Sequence, residues 1–105
     1  MSVIKSAILD EYDRNRRMQQ AYEQERAKLP HGAITRKQIK GHEYYYWMYR
    51  DNGIVVNKYI SSKDHDVDSL LKQVEKRKQL DQLIRKLKKE QLEMERYLKV
   101  ASKIH

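Results

Sequence analysis

Six of the nine aromatic residues in this 105-residue chain, five tyrosines and the tryptophan, fall between positions 44 and 59. Cations and an amide lie among them or just before them: Lys37, His42, Arg50 and Asn57. Such a mixture suits nucleic acid. Rings stack on bases or lie against sugars, cations meet phosphates, and an Asn amide reads base edges. Other chemistries find less support. With no cysteine there is no disulfide framework, thiolate metal site or cysteine nucleophile. The histidines, His31, His42, His65 and His105, show no i,i+4 pair and no convergent set of three or four ligands, so no metal or other cofactor is expected. Nucleophile-elbow, phosphate-loop and dinucleotide-binding motifs are missing, and the aromatic segment offers only Glu43 and Asp51 as acids. The expectation is a binding protein and not an enzyme.

These residues need elements to position them. Residues 1–29 contain neither Gly nor Pro and are rich in Arg, Gln, Glu and Ala, which predicts a helix. Its apolar stripe of Ile4, Ile8, Met18, Tyr22 and Leu29 is interrupted by Glu11, Asn15 and Glu25, leaving the middle weakly apolar. Leu29-Pro30-His31-Gly32 then stops it. Residues 33–61 are dense in β-formers, punctuated by Lys40-Gly41 and Asn52-Gly53. They predict a three-stranded antiparallel meander with strands at about 33–39, 42–50 and 54–60. Residues 64–103 return to helix, with Ser62, Asp64 and Asp66 as candidate caps and Lys99 and Lys103 at the far end. A helix of that size is roughly 58 Å long, so the expected fold is a single elongated α+β domain spanning 1–105.

Alternation sorts the strand residues onto two faces. One collects Ile34, Tyr45, Trp47, Tyr49, Ile54, Val56 and Ile60, diluted by Arg36, Gln38, Glu43 and Lys58. It is the expected core, because a lone three-stranded sheet needs a cover. The other collects Thr35, Lys37, Ile39, His42, Tyr44, Tyr46, Met48, Arg50, Val55, Asn57 and Tyr59. From it come the candidate contacts Lys37, His42, Tyr44, Tyr46, Arg50, Asn57 and Tyr59. The alternative is a sheet covered on both faces by the helices.

Along the C-terminal helix, Leu80, Ile84, Leu87, Met94 and Leu98 form an apolar stripe for helix packing or a dimer seam. Lys78, Arg85, Lys89 and Arg96 cluster opposite it, either as a solvated back or as further phosphate contacts. Asp81 is spaced to pair with Arg85. Around Ser61-Ser62-Lys63-Asp64, hydroxyls and a cation at a helix start suit capping first and phosphate second.

The run Leu29-Pro30-x-Gly32-x-Ile34, Ile39-Lys40-Gly41-x-x-Tyr44-Tyr45-Tyr46, Tyr49-Arg50, Gly53 and Lys58-Tyr59-Ile60 resembles short uncharacterised bacterial and phage proteins, many near mobile elements. The hairpin Gly41-x-x-Tyr44-Tyr45-Tyr46-x-x-Tyr49-Arg50 is also similar to the three-stranded arm-binding module of tyrosine recombinases. That resemblance implies a sheet entering a DNA major groove, with Lys37, Tyr44, Tyr46, Arg50 and Asn57 as contacts. Two long helices and no recombinase catalytic domain set this chain apart, so it implies DNA binding only.

The net charge of +8 agrees with a polyanion as target. The excess is +3 over residues 30–62 and +4 over residues 63–105, and only +1 before them. No apolar run approaches the ~18 residues of a membrane span, and none resembles a secretory leader, so the expected address is the cytoplasm, away from membranes. The resulting expectation is a small basic nucleic-acid-binding accessory protein of bacterial or phage origin. A homodimer through the long helices is the accompanying expectation. The alternative is a phage- or mobile-element-encoded inhibitor that grips a host defence effector, in the manner of an anti-CRISPR protein, through protein–protein contacts.

Overall fold

The computed structural model describes residues 2–61 and 66–103. It contains, in order, α1 (Val3–Ala27), β1 (Ala33–Ile39), β2 (His42–Asp51), β3 (Ile54–Ile60) and α2 (Val67–Lys103). This is the expected α+β arrangement of two long helices flanking a three-stranded antiparallel sheet, with strand order β1-β2-β3. Boundaries shift slightly. α1 stops two residues before the predicted end at 29, because Pro30 disfavours helix in the residue preceding it. Asp66 caps α2, its Oδ1 accepting from the Ser69 N–H at 3.2 Å. The other candidate caps, Ser62 and Asp64, lie outside the described residues, as do His65 and His105.

Both hairpin turns follow from residue chemistry. Lys40 and Gly41 have φ of 51° and 80°, and Asn52 and Gly53 have 49° and 80°. Positive φ at both central positions is the two-residue turn whose twist matches paired strands. It fixes the register: Ile39 opposite His42 and Asp51 opposite Ile54. The two-face division follows from that register.

The chain packs as two compact units. One holds α1 and α2 from Leu80 onward, and the other runs from Lys28 to Gln79. In the first, the helices run antiparallel, as their cross-contacts show: Tyr12 meets Glu95, Gln19 meets Gln91, and Arg26 meets Asp81. Leu80, Ile84 and Leu87 of α2 are buried, and Met94 and Leu98 are half-buried. On α1 the seam is Ile8, Tyr12, Asn15, Gln19, Tyr22 and Arg26, a 4-3-4-3-4 spacing that differs from the predicted stripe. Ile4 is 64% exposed, and Leu29 lies beyond the helix end. Polar side chains take the centre because they satisfy one another. Asn15 donates to the Leu87 carbonyl at 2.9 Å, and Gln19 donates to Asn15 and to Gln91. Gln91 and the Tyr12 hydroxyl donate to Glu95. A buried amide costs little only when its hydrogen bonds are made. Asp81 bonds Arg26 across the seam at 2.8 Å, not Arg85 along its own helix.

In the second unit Ile60 is buried, at 3% exposure, and Ile34, Tyr45, Trp47, Tyr49 and Val56 of the same face are half-buried. Ile54, assigned to that face, is 69% exposed beside the β2–β3 turn. The Leu29–Gly32 segment is tied down at both ends. Arg77 of α2 donates to the Leu29 carbonyl at 2.7 Å, and the Trp47 indole N–H donates to the His31 carbonyl at 2.7 Å.

Candidate nucleic-acid interface

Three tyrosines on two strands form the centre of the outer sheet face. β2 supplies Tyr44 and Tyr46, and β3 supplies Tyr59 directly opposite Tyr46. The Tyr59 ring lies 5.7 Å from Tyr46, edge-on, and 6.2 Å from Tyr44. β1 supplies Lys37 opposite Tyr44, and its Nζ sits 5.1 Å from the Tyr46 ring centroid. A cation over a ring face is attracted by the ring quadrupole, which holds the ammonium against the aromatic cluster. His42, Arg50 and Asn57 share the face by register and are exposed.

This face is open. Tyr59 is 51% exposed, and Ile39, Met48 and Val55 are about as exposed. The two faces also differ in charge. On the inner one, Glu43 accepts from Tyr45 at 3.1 Å and pairs with Arg36 at 3.5 Å, so part of the charge there is compensated locally. On the outer one, the strands carry Lys37, Arg50 and His42 and no acid. Among the described residues neither Lys37 nor Arg50 has an ion-pair partner.

The register thus brings Lys37, Tyr44, Tyr46 and Tyr59 into contact and places His42, Arg50 and Asn57 on the same surface. The α2 cations form separate groups. Lys78 is exposed in the sheet-bearing unit, whereas Arg85, Lys89 and Arg96 are exposed in the helix-pair unit. Among the described residues, no three His, Asp or Glu side chains converge as metal ligands. No helix of the described chain is long and apolar enough to cross a membrane.

Residues 8–70, more than half of the chain, match a family described as a domain of unknown function, DUF6788. The chain belongs to the DUF6788 family. No curated protein and no solved structure matches it. The DUF6788 span takes in most of α1, the whole sheet and the first residues of α2, so every residue of the tyrosine face falls inside it.

Two features of this DUF6788 chain were not predicted. The first is the clasp of His31 on β2. Besides the indole bond, its ring meets Tyr49 edge-on at 5.8 Å, and its Nε2 lies 3.0 Å from the Arg50 carbonyl, where the Nε2–H tautomer donates. Nothing local in the sequence signals that approach. The second is the Asn15–Gln19 polar seam. Its signal was present in the 4-3 spacing, masked because the positions are polar.

Proposed function

We propose that this protein binds nucleic acid, with DNA as the main target, through the outer sheet face, and that it works without catalysis as an accessory or regulatory factor. The observation that carries the reading is the acid-free face, on which three clustered tyrosines are flanked by Lys37, Arg50 and Asn57. Three strands spaced by about 4.8 Å put the outer two roughly 10 Å apart. That width fits a major groove about 12 Å wide. Likeness of the hairpin to the recombinase arm-binding module supports the same mode. The tyrosine rings supply stacking surface when bases are unpaired.

Fluorescence anisotropy with labelled duplex DNA, single-stranded DNA and RNA across a salt series tests this. Lys37 and Arg50 give about two phosphate contacts, a log–log salt slope near −2 and a loss of about 12-fold between 50 and 200 mM salt. Arg50→Ala should reduce the slope by about one. Tyr46→Ala should weaken binding more than Arg85→Ala, which lies off the face. Absence of binding to all three probes at low salt refutes the proposal.

A further inference from the structure

The helix pair carries an open groove of about 530 Å³, walled by Ile8 and Met18 of α1 and by Leu87, Met94 and Tyr97 of α2. All of these belong to the unit built from α1 and the later part of α2. Tyr97 is 41% exposed, and Met18 and Met94 are half-buried. Unbranched Met side chains adapt to whatever packs on them.

Its charge is the reverse of the protein's. The chain as a whole carries +8, yet the groove is lined by three acids, Glu11, Glu90 and Glu93, and one cation, Arg14. Arg14 is already engaged by Glu11 at 3.7 Å. Glu90 and Glu93 are exposed and, among the described residues, have no cation partner.

We propose that this groove receives an amphipathic helix of another polypeptide that carries Lys or Arg beside its apolar stripe. Two antiparallel helices present a seam into which a third packs with anchors at i, i+3 or i+4, and i+7. From Ile8 to Met18 the wall is about 15 Å long, enough for roughly three turns. Occupants of other chemistry fit less well. A second copy using the same groove would set two acidic rims against each other, and like charges across an interface suppress a partner. Nucleic acid is repelled by the same rim. The proposal is independent of the tyrosine face.

The test uses the full chain and two labelled 18-residue helical peptides with the same Leu/Ile anchors, one flanked by Lys and Arg and the other by Glu. Anisotropy is read at physiological salt. Nonspecific attraction to a +8 protein favours the acidic peptide, so the proposal predicts the opposite order. The cationic peptide should bind saturably and at least tenfold tighter. Met94→Asp should abolish that binding, and the exposed-site double variant Glu90→Lys/Glu93→Lys should reverse the preference, with helix content by circular dichroism unchanged. Equal binding of both peptides, or indifference to the Glu90→Lys/Glu93→Lys pair, overturns it. So does a dimer in light scattering that dissociates on Met94→Asp, because the groove is then filled by a second copy.

Discussion

Gly32→Ala should be the most damaging small substitution in the sheet-bearing unit. Gly32 sits at φ +100°, in the left-handed region. A Cβ there would collide with the Met48 carbonyl oxygen, and would lie 2.9 Å from the Tyr49 Cβ and 3.0 Å from the Trp47 indole nitrogen. No rotamer relieves a collision with backbone. The neighbours are also held, since the Trp47 indole N–H donates to the His31 carbonyl and the His31 ring packs edge-on against Tyr49. The conformational cost of positive φ is about 1–2 kcal/mol, and overpacking adds about 1–3 kcal/mol. The sum, about 2–5 kcal/mol, is comparable to the whole stability expected of a unit this small at ~0.1 kcal/mol per residue. Gly41→Ala and Gly53→Ala are the internal controls. Both positions have φ +80°, but nothing lies within 4 Å of a Cβ there, so only the conformational cost applies. Urea unfolding followed by Trp47 fluorescence reports this unit, because Trp47 is the sole tryptophan. With a slope near 1 kcal/mol/M, Gly32→Ala should lower the midpoint by about 2 M or more, against about 1 M for each control. A midpoint shift no larger than the Gly41→Ala shift would refute the close approach of the Gly32 segment to β2.

Further outcomes concern the helix pair. Ile84→Ala removes the most deeply buried side chain among the described residues, at 2% exposure, and should cost about 2–4 kcal/mol in thermal melts followed by circular dichroism. Asn15→Ala should cost about 1–2 kcal/mol, because it strips a partner from Gln19 while leaving a gap. Asn15→Leu should cost less than Asn15→Ala, since apolar volume replaces the amide; a larger loss would mean that the amide bonds outweigh packing. Hydrogen bonds from Gln91 and from the Tyr12 hydroxyl, helped by the charge of Arg16, hold the Glu95 carboxyl below its ordinary range. A lowered folded-state pKa adds stability that is present above the unfolded value and lost as pH falls through the folded one. Acid melts from pH ~6 to ~3 should therefore destabilise the parent chain more than Glu95→Gln.

The sheet was legible because its determinants are local. Lys40-Gly41 and Asn52-Gly53 dictate two-residue turns, the turns dictate register, and register sorts Tyr44, Tyr46 and Tyr59 from Tyr45, Trp47 and Tyr49. The contents of the tyrosine face follow from that chain of steps. The helix seam was less legible because burial there follows geometry and not hydrophobicity. Asn15 and Gln19 are buried by partners 72 residues away, and Asp81 chooses Arg26 over the nearer Arg85 for the same reason. Met18, apolar and correctly spaced from Tyr22, instead lines the groove. The His31 clasp depends on where Pro30 and Gly32 turn the backbone, which residue type alone does not specify.

With strand order β1-β2-β3, the sheet has two unpaired edges. Both outer strands carry cations near their middle, Arg36 and Lys37 on β1 and Lys58 on β3. Charge at an open edge discourages strand-to-strand pairing between molecules, so these side chains act as gatekeepers against aggregation. Removing them to probe binding also removes that protection. Because salt screens repulsion between exposed charges, turbidity at high protein concentration should rise with ionic strength, and sooner for Lys37→Ala/Lys58→Ala than for the wild-type chain.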